Sequence, residues 1–338
     1  MKIQVHLWGD LVQQVAIIIA AYFAARSPLD RRPHNTDIFS SDTAHRRGKF
    51  LLKFAKTLKR EYKHLTLRNI QKEHILYLLD QWKLTCHSVG TVQNYLAFLR
   101  AILKFAGINV RDVVPTNAEA CVHVGLPATR MPDNLDKSLE GHGVDFWTVY
   151  WEAHRHDPRV ALVFLRCWLW GLRREESYKW RAPDGVMGSK ICVCHGAKNN
   201  QYRSFEIEMT VVDMQCIELG KRYANSSTGS LIPDGMTEKQ FRNHIKYIAK
   251  KCGLTKAQLG VTPYGLRHSF AQRFWEKHAG TSHALRRMAG IPIDPYLNFI
   301  SRMETTEALG HHSVKPTVVY IGPVDDPFIL RRESKREV

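Results

Sequence analysis

The sequence predicts a mainly α-helical protein with one small β-sheet, folded as two domains. Its 338 residues exceed what one hydrophobic core usually supports. In the first half, apolar residues recur at helical spacing. In the second half, the short segments Ile191–Cys194 and Phe205–Met209 have the pattern of strands, with a polar turn between them. A hydrophobic content of 44% is ordinary for a globular protein and argues against disorder.

Residues 35–112 are predicted to form a helical domain. Leu51, Leu58 and Tyr62 lie on one apolar helix face, and two further helices are predicted around residues 75–82 and 91–107. Residues 1–34 are interpreted as an appended helix, because their apolar run of eleven residues is too short to span a membrane. Residues 113–140 contain three prolines and no sustained period, which is typical of a linker.

The charge balance favours a polyanion as the partner. The chain has 49 basic and 32 acidic side chains, a formal net charge of +17. Such charge binds phosphate well, although a generally basic enzyme is an alternative. Eight of the bases surround the first predicted helix, where they could contact DNA or form a solvated face: Arg46, Arg47, Lys49, Lys53, Lys56, Lys59, Arg60 and Lys63.

The seven cysteines show no disulfide framework and suit reduced thiols. Cys192, Cys194 and His195 are too closely spaced for an ordinary zinc site, and no second pair stands at finger spacing. The sequence also contains no phosphate-cradling glycine loop and no dinucleotide fingerprint. We therefore expect no metal and no other cofactor.

Three motifs in the second half carry chemistry. Arg173 follows the apolar helix that ends near Gly171, Arg267 stands in Thr262–Phe270, and His311 precedes Tyr320 by nine residues. Arginine binds two phosphate oxygens at once and keeps its charge. A tyrosine nucleophile would conserve the energy of a broken phosphodiester as a phosphotyrosine ester. Each residue alone has an ordinary structural explanation, whereas their order along the chain does not.

This set of motifs resembles that of the tyrosine recombinases, the lambda-integrase family. The resemblance implies a helical core-binding domain at residues 35–112, which precedes a catalytic domain at 141–338 with a C-terminal tail. It implies catalytic roles for Arg173, Arg267, His311 and Tyr320. Such enzymes cut and rejoin DNA through a 3′-phosphotyrosine intermediate without metal.

The resemblance assigns further residues around this set. Lys198 lies on a turn that resembles the family's lysine-bearing hairpin, so it is expected to protonate the leaving 5′ oxygen. Glu176 matches an acid that braces the site, and His268 is expected beside it. Tyr264 stands where the family has His or Lys. Its phenol can donate a hydrogen bond to phosphate but cannot act as a base near neutral pH.

The spacing between Arg267 and His311 is longer than in compact family members. We expect residues 275–302 to form an inserted loop and helix.

The expected function is that of a site-specific recombinase or integrase of a mobile element, acting in the bacterial cytoplasm. Its partners would be double-stranded DNA at a recombination site, three further copies in a tetramer, and accessory DNA-bending or directionality factors; no membrane is expected. The apolar tail residues Phe328–Leu330 would dock either on a neighbouring subunit or on the subunit to which they belong. Two alternatives are a DNA-binding relative without the reaction and a type IB topoisomerase.

Overall fold

The structure, a computed structural model, describes residues 8–24, 41–85, 88–129, 135–197, 202–283 and 293–322. The chain divides into two compact units, residues 1–131 and 132–338. Across the described ranges, no helix is both long and apolar enough to cross a membrane.

The first unit is helical in its described parts. Leucines such as Leu58, Leu79 and Leu99 are fully buried in its core. Ser88 caps the N-terminus of the fourth helix by accepting a hydrogen bond from the backbone N–H of Thr91. The helices are α1 Leu11–Ala24, α2 Ser41–Glu61, α3 Lys72–Lys83, α4 Val89–Phe105, α5 Val110–Val113 and α6 Asn117–His123.

Helix α1, predicted as an appended helix, packs into the core of this unit. Leu11, Val15 and Ile18 are almost completely buried and pack against α2 and α4. The side chain of Gln14 accepts a hydrogen bond of 2.9 Å from the backbone N–H of Leu67. The apolar run of this helix therefore fills an intramolecular interface.

The predicted linker at 113–140 is also partly folded. Helix α6 lies inside it, carries the buried residues Ala120 and Cys121, and is held to α4 by a 2.7 Å hydrogen bond from Arg100 to Asn117. At the other end, Leu139 is buried in the second core, and its N–H donates to Ser269 Oγ at 3.0 Å. Pro115 lies between α5 and α6, and Pro127 follows α6.

The second unit is mostly helical with one small antiparallel sheet of strand order β1-β2-β3. Ile191 pairs with Phe205, and the register ends at Val193 opposite Arg203. The mainly α class with a small sheet is thus confirmed. The elements are α7 Phe146–His156, α8 Pro158–Leu169, α9 Arg174–Lys179, α10 Ala182–Gly185, β1 Val186–Met187, β2 Lys190–Val193, β3 Arg203–Glu206, α11 Val211–Arg222, α12 Glu238–Lys251, α13 Gly265–Ala279, α14 Pro295–Ala308 and α15 Lys315–Ile321.

A glycine turn after α8 leads the chain to Arg173. Gly171 has a φ of 59°, and a Cβ there would lie 2.2 Å from the ring of Phe270. Glycine is therefore required on both conformational and steric grounds. This close approach brings the start of α9 against α13, which carries Arg267.

The described residues of the expected insertion at 275–302 include the end of α13 and the first part of α14. Trp275 lies inside α13, and Arg302 lies inside α14; both are about 1% exposed. These two helices pack against each other. Part of the extra length between the motifs therefore lies in two helices of the core.

Candidate active site and nucleic-acid interface

Four segments of the second unit bring the predicted catalytic residues together. Arg173 is the N-cap residue of α9, and Arg267 lies in the first turn of α13. His311 follows α14, and Tyr320 lies on α15. Pro316 stands in the first turn of α15, which suits a helix start.

The carboxylate of Glu176 is the centre of the cationic cluster. It is fully buried and accepts hydrogen bonds from the backbone N–H of Arg173 at 2.7 Å and from Arg173 Nη1 at 2.6 Å. Arg203 binds both carboxylate oxygens, at 3.0 and 2.8 Å. Arg267 Nη1 lies 3.8 Å away.

These contacts keep Glu176 ionised. Burial by itself raises the pKa of a carboxyl group, but here the hydrogen bond and charge of Arg203 oppose it. The charges of Arg267 and Arg173 act in the same direction. The pKa of Glu176 is lowered to about 2.

Backbone carbonyls fix the guanidinium of Arg267. Its Nη2 donates to the carbonyl of Leu309 at 2.6 Å, and its Nη1 donates to that of Gly171. Its Nε is then 3.3 Å from the hydroxyl of Tyr320. Arg267 is 1% exposed. This one buried cation therefore connects Gly171, just before Arg173, and Leu309, just before His311, to the candidate nucleophile Tyr320.

Tyr320 is itself buried, with 3% of its surface exposed. Its hydroxyl forms a hydrogen bond with the hydroxyl of Tyr264. The ring of His268 lies 4.4 Å from the ring of Tyr320, centroid to centroid. The backbone carbonyl of Tyr320 accepts from Gln272 at 3.1 Å.

His311 is held as a neutral imidazole. Its Nδ1 lies 3.0 Å from the hydroxyl of Thr317, which contacts the hydroxyl of Thr306 at 2.8 Å. Burial lowers the pKa of His311, and the positive charges of Arg267, Arg173 and Arg203 lower it further, to about 3. Without a bound anion, His311 can therefore take up a proton only in strong acid.

Arg203 is the residue that the sequence motifs did not single out. Besides Glu176, it binds the carbonyl of Ala308 at 3.0 Å, so it ties β3 to the end of α14. Gly310 makes room for it, since a Cβ there would meet Arg203 at 2.6 Å. The available signal was its position at the end of the lysine-bearing turn. Lys198 on that turn lies outside the described residues.

The predicted DNA-binding residues of the first unit separate into two groups. Arg47 stacks over the ring of Phe98 at 4.7 Å, and Lys59 pairs with Asp10. The other six are exposed at alternating spacings of three and four residues, which places them along one face of α2 and just beyond its end. This basic stripe consists of Arg46, Lys49, Lys53, Lys56, Arg60 and Lys63.

The second unit has a shorter exposed basic row that the sequence analysis did not assign. Lys239, Lys246 and Lys250 lie with Asn243 on the solvent side of α12. Positions four, seven and eleven residues apart share one helix face. The sequence carried this pattern, but a charged helix face alone does not distinguish a binding surface from a solvated one.

Comparison with known proteins identifies the fold. Residues 35–111 match the family model described as "Phage integrase, N-terminal". The integrase of the Tn1549 transposon, solved with circular intermediate DNA, superposes with a TM-score of 0.57 at 14% identity, covering 95% of this chain and 98% of that one. XerH recombinase bound to its difH substrate gives 0.57 at 14% identity, covering 99% of both chains.

The lambda integrase tetramer bound to a Holliday junction gives a TM-score of 0.56 at 14% identity, covering 89% of this chain and 76% of that one. A search of curated protein sequences finds no match. The resemblance seen in the sequence is confirmed: this chain has the fold of the tyrosine recombinases, and its residues 35–111 match the phage integrase N-terminal domain.

The carboxylate of Glu176 is expected to stabilise the folded second unit in a pH-dependent way. Its pKa is about 2 in the folded chain, against about 4.3 when unfolded. Because the folded pKa is the lower one, the stabilisation is present above about pH 4.3 and is lost as the pH falls towards 2. It amounts to about 3 kcal/mol.

The variant Glu176→Gln should therefore unfold in less urea than the parent at pH 7, since it leaves buried arginines without a counter-charge. This difference in the urea concentration needed for unfolding should narrow at pH 3. Tryptophan fluorescence reports on this unit, which holds six of the eight tryptophans. An equal gap at both pH values would contradict an ionised Glu176.

The basic stripe of α2 can be tested with two lysines of the same helix. Lys56→Gln removes a charge from the stripe, whereas Lys59→Gln removes one that is paired with Asp10. If the stripe contacts phosphates, Lys56→Gln should reduce the slope of log affinity against log salt by about 1. Lys59→Gln should leave that slope unchanged. Equal slopes in both variants would mean that the stripe is merely solvated.

Proposed function

We propose that this protein is a site-specific DNA recombinase, the integrase of a mobile genetic element, that cuts and rejoins DNA through a 3′-phosphotyrosine. One observation carries the proposal: the fixed guanidinium of Arg267 lies 3.3 Å from the hydroxyl of Tyr320. A permanently charged phosphate-binding group and an oxygen nucleophile thus share one buried site. Arg173 adds a second cation, since it pairs with the carboxylate of Glu176, which Arg267 also approaches.

In the proposed reaction, the hydroxyl of Tyr320 gives its proton to water, its oxygen attacks phosphorus, and the bond between phosphorus and the 5′ oxygen breaks. The leaving oxygen takes a proton from Lys198, while Arg173 and Arg267 compensate the charge on the phosphoryl oxygens. The reverse attack by a 5′ hydroxyl rejoins the strand. The arginines supply the charge that a divalent ion supplies in other phosphoryl-transfer enzymes.

The neutral state of His311 suits a role as a hydrogen-bond partner of the phosphate. With its Nδ1 at Thr317, the other ring nitrogen has no hydrogen bond to the residues that the structure describes, so it can bind a ligand. Burial and the surrounding arginines lower the pKa of His311. An entering phosphate would offset those positive charges and make protonation of the ring easier.

The proposed partners follow from the basic stripe and from the solved relatives. We propose that the chain binds double-stranded DNA at a specific site and acts as a homotetramer, with accessory DNA-bending or directionality factors, in the cytoplasm of a bacterial host. The tetramer of lambda integrase on a Holliday junction supports the assembly. The tail residues Phe328–Leu330, proposed to dock on a neighbouring subunit, lie outside the described residues.

Trapping on a nicked duplex tests the reaction. Incubated with a candidate site in excess chelator, the wild-type chain should form a covalent adduct, because loss of the short downstream strand prevents religation. Tyr320→Phe should abolish adducts and leave duplex affinity nearly unchanged, since one hydroxyl is removed from a buried ring. Adducts in that variant would place the nucleophile elsewhere.

This assay and a relaxation assay on supercoiled DNA together separate the alternatives. A DNA-binding relative without the reaction would bind the duplex and form no adduct. A type IB topoisomerase would relax supercoiled DNA without a paired site.

Lys198 is expected to act as the general acid. Lys198→Ala should slow cleavage of ordinary DNA by about 10²-fold or more. A 5′-bridging phosphorothiolate needs no proton on its leaving sulfur, so it should restore the rate. Lys190→Ala on β2, where Lys190 pairs with Glu206 at 3.5 Å, is the matched control and should cleave both substrates normally. Equal slowing of both substrates by Lys198→Ala would reduce Lys198 to a binding residue.

A further inference from the structure

Two phenol groups meet at the reacting atom. The hydroxyl of Tyr264 is hydrogen-bonded to that of Tyr320, and Arg267 Nε approaches the same Tyr320 oxygen at 3.3 Å. The two rings lie 5.9 Å apart at an angle of 45°. Tyr264 thus contacts the nucleophile rather than standing apart as a separate phosphate ligand.

The proton positions follow from the two partners. Burial raises the pKa of Tyr264, and the neighbouring Tyr320 raises it further. Tyr264 therefore keeps its proton near neutral pH. Guanidinium groups only donate. When Tyr320 loses its proton, its oxygen can therefore accept from both Tyr264 and Arg267. Hydrogen bonds to a charged form favour that form.

Other ionisable groups also surround Tyr320 and contribute to its environment. His268 on α13 and His311 after α14 face its ring, with centroids at 4.4 and 5.6 Å. Further charges come from the cluster on Glu176, which includes Arg173 and Arg203, and from the buried Arg302 on α14, which donates to the carbonyl of Gly322 just after α15. These groups remain in place when the Tyr264 hydroxyl is removed, so a substitution there isolates one donor.

We propose that Tyr264 is the hydrogen-bond donor that aligns Tyr320 and stabilises its phenolate during attack on the phosphate. This inference rests on the proposed function. In the step, the Tyr320 oxygen forms its bond to phosphorus, and the Tyr320 proton passes to water. The bond to the 5′ oxygen breaks, and that oxygen is protonated by Lys198. Tyr264 keeps its own proton throughout and therefore differs from an acid or a base.

The side chain of Tyr264 suits a clean substitution. About half of it (52%) is exposed, while its hydroxyl points inward to Tyr320. Its ring also packs edge-on against His268, at 5.2 Å. Tyr264→Phe keeps that ring contact and removes only the donor.

The experiment measures the rate of adduct formation on the nicked duplex as a function of pH. Tyr264→Phe should move the midpoint of the profile up by about 1 to 2 pH units, the range expected for one hydrogen bond to a charged group. Cleavage below the wild-type midpoint should be about 10- to 100-fold slower. Above the shifted midpoint, the rates should converge.

Two variants serve as controls. Tyr296→Phe, on α14 and 69% exposed, removes a phenol hydroxyl from the surface and should leave the profile unchanged. Tyr264→His keeps an N–H donor on a ring, so its midpoint should lie below that of Tyr264→Phe. Circular dichroism and duplex affinity confirm that each variant is folded. A midpoint for Tyr264→His as high as that of Tyr264→Phe would overturn the donor role.

A second substrate separates this role from a contact with the phosphate. A methylphosphonate at the scissile position removes the phosphate charge, and the Tyr264→Phe defect should persist on it. Rescue there, a slowing that is uniform in pH, or wild-type rates would each overturn the proposal. Absence of adducts from the wild-type chain would instead contradict the proposed function.

Discussion

Glu176 is fully buried, and three arginines reach its carboxylate. Arg173 comes from the start of α9, Arg203 from β3 and Arg267 from α13, at distances between 2.6 and 3.8 Å. Removing such a carboxylate would leave several desolvated cations close together, which costs more than any single hydrogen bond. The cluster therefore determines where three separate segments of the chain must meet. Three guanidinium groups against one carboxylate leave the shared site positively charged.

Backbone carbonyls complete this arrangement. Arg267 binds the carbonyls of Gly171 and Leu309, and Arg203 binds that of Ala308. Each of these carbonyls lies at or near the end of a helix, where backbone acceptors lack intrahelical partners. The arginines satisfy those groups and connect the end of α8 to the end of α14. The glycines 171 and 310 allow the approach, since a Cβ at either would collide with a neighbouring side chain.

Contacts between residues close in the chain are the part of the candidate site that the sequence could predict. Arg173 and Glu176 are three residues apart, and a helix start brings such residues together without information from the rest of the fold. Arg203 could not be found in this way, because its partners lie 27 and 105 residues away. The packing of α1 against α2 and α4 could not be predicted for a similar reason, because an apolar face predicts burial but does not identify the surface that covers it. Tyr264 was recognised as a departure from the family pattern, whereas its contact with Tyr320 required the folded chain.

Directional contacts help to hold the helix that carries Tyr320. Its neighbour α14 buries polar residues, among them Arg302 and Thr306. Arg302 donates to the carbonyl of Gly322 at 3.1 Å, and Thr306 contacts Thr317 on α15. Apolar packing resists separation but fixes rotation and register weakly, whereas hydrogen bonds require a defined distance and angle. A nucleophile must be placed to within about 0.5 Å for in-line attack. In the proposed reaction, a polar interface behind α15 therefore serves better than an apolar one of equal area. It sets the position of the Tyr320 oxygen from the backbone side, and Tyr264 and Arg267 contact that oxygen from the hydroxyl side.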